Sequence, residues 1–197
     1  VANMDLEKEH TLARVATLEG TSLHTGQKVT LHLKPAPAGH GFKFRRIDLP
    51  DQPFIDADVD RVEKVERATT LASGSVRVHT VEHVLSALTG MGIDNALIEM
   101  DANEPPIGDG SARPFVELIK KAGIEIQDAP RKTWEIREPI HFDGKNGSHI
   151  TIVPYKGFRV SVTNISRNGK FTQYFSSEVT PELYEEEIAP ARTFTFY

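Results

Sequence analysis

Two histidines and a glutamate stand close together near the middle of the chain, in the stretch RVHTVEHVLSALTGMG at positions 77–92. His79, Glu82 and His83 follow the pattern H-x-x-E-H. Imidazole nitrogens bind zinc, and a carboxylate beside a metal-activated water can act as a general base. Histidines four positions apart lie one above the other on a helix. The types and spacing of these residues therefore suit metal-assisted hydrolysis.

The pentapeptide alone leaves three interpretations open. In the inverted zinc peptidases, both histidines of this pattern bind the metal from one helix face. Alternatively, Glu82 only favours the positive end of a helix dipole, His79 ends a strand, and His83 is a packed or solvated histidine. In the third interpretation only Glu82 and His83 act. A metal then takes its other ligands elsewhere, because catalytic zinc typically has three protein ligands and a water.

The residues around the motif predict a strand, a helix and a second strand. Alternation over 76–78 predicts a short strand, and the apolar run 96–100 predicts a buried one. Between them, apolar residues recur with helical spacing. This spacing predicts a helix that has Thr80 as its N-cap and ends near Gly90 or Gly92. The apolar positions of this helix are Val81, Val84, Leu85 and Leu88.

The rest of the chain mixes strand and helix patterns in the way that α+β proteins do. Residues 28–33 and 42–44 predict two strands that pair like a hairpin, and residues 115–122 predict a second helix. Residues 126–132 are polar around a proline and predict a linker. Beyond it, the predicted strands are 133–136, 148–153, 158–162, 172–175 and the strand-like end 191–197, and the predicted helix is 181–188.

We therefore predict two α+β units, a first at residues 8–126 and a second at 131–197 that is small or unfinished. The chain has 197 residues, of which 39% are hydrophobic, enough for one large core or two modest ones. A net charge of −5 argues against nucleic-acid binding. The lack of cysteine excludes disulfides and thiolate zinc sites. No apolar run reaches the ~20 residues of a membrane span, so we expect a cytoplasmic protein.

Several short stretches, in this order, resemble the zinc-dependent UDP-3-O-acyl-N-acetylglucosamine deacetylases of lipid A synthesis (LpxC-type). The stretches are Leu23-His24-Thr25-Gly26, Pro35-Ala36-Pro37, Phe44-Arg45-Arg46-Ile47-Asp48, Thr80-Val81-Glu82-His83, Gly92-Ile93-Asp94-Asn95, Pro106-Ile107-Gly108-Asp109-Gly110-Ser111-Ala112 and Ala191-Arg192-Thr193-Phe194. Each stretch alone is weakly specific, and the combination is highly specific. The resemblance covers nearly the whole chain.

The resemblance implies a fold of two similar domains, each a β-sheet layered with two α-helices, with the active site between them. It implies that Glu82 is the general base and that His83 is the first Zn²⁺ ligand. Thr193 matches the hydroxyl that helps to stabilise the oxyanion. Leu23 and Phe194 match positions near the acyl chain and the sugar of the UDP-linked acylated glucosamine substrate, whose N-acetyl group is released as acetate.

The chain departs from the family pattern in two places that bear on the site. Family members often have a cysteine about fifteen residues before the glutamate, where this chain has Thr69 or Thr70, and we keep Thr69 as a substrate-binding candidate. His24, on a loop flanked by glycines, is a further candidate. The family does not use the residue that corresponds to His79, so the resemblance makes this histidine a neighbour of the site.

The second departure concerns the metal. The family takes two more zinc ligands, a histidine and an aspartate, from a His-Lys-x-x-Asp stretch that does not occur in these 197 residues. We therefore expect the remaining ligands to lie beyond residue 197, in a longer parent or in a complementing C-terminal segment. We also expect the chain alone to be inactive. Some members carry a fused dehydratase. A zinc peptidase and a non-catalytic fragment or scaffold domain are the alternatives.

Overall fold

The computed structural model describes residue 5, residues 7–166 and residues 169–193. In chain order the strands are β1 (Lys8–Leu12), β2 (Ala16–Thr21), β3 (Lys28–Pro35), β4 (Phe42–Arg46), β5 (Phe54–Asp56), β6 (Val62–Val65), β7 (Thr69–Ser73), β8 (Val76–Val78), β9 (Ala96–Met100), β10 (Ile124–Pro130), β11 (Ile140–Asp143), β12 (His149–Ile152), β13 (Arg159–Ile165) and β14 (Thr172–Glu178). The helices are α1 (Glu82–Gly90), α2 (Arg113–Ala122) and the short α3 (Pro181–Leu183), which continues into a π-helical turn, Tyr184–Ile188. The mixture confirms the α+β class.

A five-stranded sheet in the order β2-β3-β9-β4-β5 forms the centre of the fold. The central strand β9 is antiparallel to β3 and parallel to β4. The prediction that residues 28–33 and 42–44 pair with each other was wrong, because β9 lies between them. A period-two pattern tells which face of a strand is buried, but it does not tell which strand lies beside it.

Two helices cover the central sheet with their apolar faces. The buried side chains of α1 are Val84, Ala87 and Leu88, and those of α2 are Phe115, Val116, Leu118, Ile119 and Ala122. They share one core with sheet residues such as Leu31, Phe44 and Ile98. Each fully buried large apolar side chain contributes about 1.5–3 kcal/mol, so this core holds α1 firmly on the sheet.

The prediction for α1 is confirmed at its C-terminal end and wrong at its N-terminal end. The helix ends at Gly90, and Gly92 follows it in the left-handed conformation with φ 74°, which confirms the predicted glycine stop. At the other end the helix begins at Glu82, and its N-cap position is Val81, which makes no side-chain capping bond. The prediction of Thr80 as N-cap was therefore wrong.

The segment predicted as a linker is mostly a strand. Residues 124–130 form β10, which pairs antiparallel with β1. Directly after it, the Arg131 guanidinium donates to the Asp94 carboxylate at 2.7 Å and to the Gly92 carbonyl at 2.7 Å. The polar residues around Pro130 suggested a linker, but edge strands also carry polar residues and proline.

Beyond β10, the described chain forms two antiparallel hairpins, β11–β12 and β13–β14. Residues 133–136, predicted as a strand, are irregular, while 181–188 is helical as predicted. Many apolar side chains of the hairpins are exposed, including Phe142, Ile150, Val162, Ile165 and Tyr174. The strand predicted at 191–197 is irregular over 191–193, and its residues 194–197 lie outside the described part of the chain.

The helices are all short. The longest helix in the described ranges, α2, has 10 residues, about half of the ~20 that a bilayer crossing takes. No described helix could therefore span a membrane.

Candidate functional site

Glu82 and His83 lie side by side at the first turn of α1, and both are half-buried. The Glu82 carboxylate accepts a hydrogen bond of 3.1 Å from the backbone N–H of Thr69 on β7. The positive end of the helix dipole also favours a carboxylate at this turn. The start of β7 and the start of α1 thus fix the orientation of the Glu82 carboxylate, one residue before His83 in the chain.

His79 lies outside this helix. It follows β8, and its Nδ1 atom is 2.9 Å from the Thr70 hydroxyl oxygen. Between His79 and α1, Thr80 has a φ of 53°, a left-handed conformation that interrupts helical geometry. His79 and His83 therefore do not occupy the i and i+4 positions of one helix. This removes the geometric premise of the two-histidine peptidase motif.

The loop between β2 and β3 lies beside the start of α1. Its Leu23 and His24 side chains are exposed. The backbone N–H groups of His24 and Thr25 donate to the carboxylate of Glu104, and the Thr80 hydroxyl donates to the same carboxylate. One buried side chain therefore holds together the loop that carries His24 and the residues that precede Glu82.

Sequence reasoning missed Glu104. It lies in the turn after β9, where no periodicity marks a residue as buried, yet it is 0% exposed. Burial acts to raise the pKa of Glu104, but hydrogen bonds from Thr80, Thr25 and His24 outweigh burial and hold the pKa below its usual value. Glu104 is therefore an ionised acceptor in the interior. No local signal marks it, because residues 101–104 read Asp-Ala-Asn-Glu, like an ordinary polar turn.

The segment that ends at Thr193 is held by the turn between β9 and α2. The Thr193 N–H donates to the Gly110 carbonyl at 2.9 Å, and the Ala112 N–H donates to the Ala189 carbonyl at 3.0 Å. The Thr193 side chain is exposed. Phe194, the other candidate in this segment, lies outside the described residues. These contacts attach the 189–193 segment to the unit that contains Glu82.

The candidate zinc donors can be compared with what a zinc centre needs. In the part of the chain that the structure describes, no group of three His, Asp or Glu side chains is arranged to hold a metal. His83 is exposed enough to donate one imidazole nitrogen, whereas His79 is engaged with Thr70. Catalytic zinc takes three protein ligands, and the described residues alone do not provide three that are arranged to hold it.

A large apolar cavity of about 1320 Å³ lies beside α1. One wall is the α1 surface around Leu85, and the opposite wall comes from β13, β14 and the helical turns that follow, with Phe158, Phe175 and Ile188. The cavity thus lies between α1 and the residues that follow β10. It gives further apolar residues a surface on which they could pack.

Comparison with known proteins gives one consistent result. The family model for UDP-3-O-acyl N-acetylglycosamine deacetylase matches residues 9–197. UDP-3-O-acyl-N-acetylglucosamine deacetylases from Methylococcus capsulatus and Legionella pneumophila (strain Corby) are 44% and 42% identical to the chain, over 193 and 192 residues. Each of these alignments covers 96% of this chain and 63% of the relative. The chain therefore spans less than two thirds of the length of these relatives.

A third relative combines two activities in its name. The bifunctional enzyme LpxC/FabZ of Porphyromonas gingivalis is 40% identical over 192 residues. That alignment covers 97% of this chain and 42% of the relative.

Proposed function

Because this chain belongs to the UDP-3-O-acyl N-acetylglycosamine deacetylase family, we propose that it forms the part of a zinc-dependent deacetylase that carries the general base and one metal ligand. The reaction is hydrolysis of the N-acetyl amide of a UDP-linked, 3-O-acylated N-acetylglucosamine. Water adds to the amide carbonyl, the C–N bond breaks, and acetate and the free amine leave. This step belongs to lipid A synthesis, and we place it in the cytoplasm.

The observation that carries the proposal is that Glu82, whose carboxylate is held in place, and His83 both belong to the first turn of α1. The Thr69 backbone N–H orients the Glu82 carboxylate, which can take a proton from the attacking water and pass it to the departing amine. His83 provides one zinc ligand. Zinc, when bound, polarises the carbonyl and lowers the pKa of water. The remaining ligands belong to residues in the part of the relatives that this chain does not span.

Other residues take roles in binding the substrate. We assign the Thr193 hydroxyl to the oxyanion that forms on the amide, where one such donor contributes ~3–4 kcal/mol in other hydrolases. Leu23 and His24, both exposed on the loop beside α1, and Phe194 contact the acyl chain and the sugar. Thr69 lies next to Glu82 and completes this set.

The domain organisation is part of the same proposal. Residues 8–126 form the first deacetylase domain, and residues 131–197 contribute the first part of the second. The exposed apolar faces of the two hairpins and the cavity beside α1 support further residues that pack there. The name of the Porphyromonas gingivalis relative supports a fused dehydratase as one form that a parent protein takes.

The test uses the intact protein and Glu82→Gln, which preserves shape and removes the base. Release of acetate from the acylated UDP-sugar should fall by about 10²–10⁴-fold, with zinc content unchanged. Glu117→Gln, at an exposed position on α2, is the matched control and should keep full activity. An intact protein without deacetylase activity, or a Glu82→Gln variant as active as the control, would contradict the proposal.

Two zinc measurements separate the alternatives. The 197-residue chain alone should bind zinc weakly and show no deacetylase activity, because it provides an incomplete ligand set. Tight stoichiometric binding by this chain would sink the idea of an incomplete site. In the intact protein, His79→Ala should leave zinc binding unchanged. Loss of zinc in that variant would instead support the peptidase motif.

A further inference from the structure

One buried carboxylate connects two segments of the candidate site. Glu104 accepts from the Thr80 hydroxyl at 2.7 Å, from the Thr25 N–H at 2.9 Å and from the His24 N–H at 3.1 Å. A carboxylate has room for about four hydrogen bonds, so these donors use most of its capacity. Charge-assisted bonds of this kind are roughly twice as strong as neutral ones. Glu104 is therefore a rigid link between the loop and the residues that lead into α1.

The residue on the helix side of this link has an unfavourable backbone conformation. Thr80 is β-branched and has a φ of 53°, a conformation that such residues rarely adopt and that surrounding contacts must maintain. The bond to Glu104 is one such contact. The His79 N–H adds a second, because it donates to the Asn103 carbonyl at 2.8 Å. The turn at residues 103–104 thus sets the direction in which the chain enters α1 and presents Glu82.

The segment on the loop side carries exposed groups. Leu23 and His24 have exposed side chains, while the backbone of the loop is fixed through Glu104. The same turn holds the loop a second time, because the Ile107 N–H donates to the Thr21 carbonyl at 3.0 Å. The position of the Leu23 and His24 side chains relative to α1 therefore depends on this turn and on its one buried charge.

We propose that Glu104 is a positioning residue for the deacetylation, which locks the Leu23–His24 loop and the Glu82 turn of α1 into one relative arrangement. The inference rests on the proposed function for its kinetic consequences. On the loop side, Glu104 holds the substrate-binding loop tightly, so we expect loss of the link to raise KM. On the helix side, Glu104 orients the turn that carries the general base, so we expect loss of the link to lower kcat.

The first experiment compares Glu104→Gln with Glu99→Gln in the intact protein. Both residues are buried carboxylates, but the partners of Glu99 are Lys34 and Arg45 on the central sheet. Glutamine at position 104 keeps the shape and loses the charge that its donors bind. Glu104→Gln should lower kcat/KM by about tenfold or more, with an increase in KM. Glu99→Gln should keep the wild-type kcat and KM even where it lowers stability.

Variants of Thr80 separate the two consequences and do not depend on whether Glu104→Gln folds. Thr80→Val keeps the β-branched shape and removes the hydroxyl, so it breaks only the helix-side bond. It should lower kcat and leave KM unchanged. Thr80→Ser restores the hydroxyl and should restore kcat. A purely structural role would give the same kcat in the valine and serine variants, and that result would overturn the proposal.

The last experiment needs no activity and uses the 197-residue chain. Amide hydrogen exchange at His24 and Thr25 should accelerate by about tenfold or more in Glu104→Gln and should stay unchanged in Glu99→Gln. Unchanged exchange in Glu104→Gln refutes the link itself. If the intact wild type lacks deacetylase activity while the exchange rates change as expected, the proposed function fails and the link stands.

Discussion

Replacing Gly90 with alanine tests the contact between α1 and the helical turn Tyr184–Ile188. Gly90 is the last residue of α1, and a Cβ atom at this position would lie 2.5 Å from Cδ2 of the Tyr184 ring. Carbon atoms in contact prefer about 3.5–4.0 Å. Tyr184 is 4% exposed, and its hydroxyl is 2.8 Å from the Ser86 hydroxyl. The ring is therefore held in place and cannot easily move away from an added methyl group.

Two opposing effects set the size of the change. Alanine in place of glycine in a helix normally stabilises by about 0.5–1 kcal/mol, while overpacking a filled site costs about 1–3 kcal/mol. We expect the clash to win, with a net loss of about 0.5–2 kcal/mol in the free energy of unfolding. Urea denaturation of the 197-residue chain measures it. The melting temperature should fall by about 2–4 °C for each kcal/mol.

The control is the same substitution in a Tyr184→Ala background. Without the ring, Gly90→Ala should stabilise the chain by up to about 1 kcal/mol, because only the helix preference remains. The sign of the effect should therefore reverse between the two backgrounds. Stabilisation in the wild-type background, or an equal loss in both, would refute the packing of Tyr184 against α1.

Three further predictions use the same denaturation assay. Burial raises the pKa of Tyr184, although its hydroxyl hydrogen bond lowers it, so the stability it contributes is complete below pH ~10 and is lost as the pH rises through the folded pKa. Tyr184→Phe should remove that alkaline loss, and a loss of the same size in the variant would contradict this. Burial, and then the charge of Arg131, lower the pKa of His10, so its contribution is present above pH ~6.5 and is lost as the pH falls through the folded pKa. His10→Gln should flatten the unfolding free energy between pH ~7 and ~5, whereas an unchanged slope would exclude His10 as its source. Gly20→Ala places a Cβ 2.8 Å from Cβ of Pro106 and should cost about 1–3 kcal/mol, with a cycle through Pro106→Gly to isolate the clash.

Local hydrophobic patterns predicted an element well where the spacing of apolar residues matches the period of that element. The strand at 76–78 and the buried strand at 96–100 have the bounds predicted from alternation and from an apolar run. Helix α1 begins one residue later than predicted and ends at a predicted glycine. The position of β9 between β3 and β4 could not be predicted, because strand neighbours depend on the path of the whole chain.

At the candidate site, too, local patterns predicted the elements but not the contacts between residues far apart in the chain. Thr80 is an N-cap residue type, but the N-cap position is Val81, and the Thr80 hydroxyl points to Glu104, 24 residues later. A local pattern cannot reveal a competitor that only the tertiary fold brings near. Glu82 and His83 do stand at one helix start, where spacing and resemblance put them. Their catalytic roles stay predictions, as do those of Thr193 and the loop residues.

The contacts around Glu82 also bear on the departure from the cysteine that family members often have. Thr69 holds the Glu82 carboxylate through its backbone N–H, which every residue except proline can provide. The neighbouring Thr70 hydroxyl is 2.9 Å from His79 Nδ1, away from that carboxylate. A change of side chain at either threonine therefore leaves the orientation of the base intact, because a backbone group supplies it. The Glu104 link differs, because it depends on the Thr80 hydroxyl and on the Glu104 carboxylate, so we expect the orientation of the base to be sensitive to side-chain changes at positions 80 and 104 and not at positions 69 and 70.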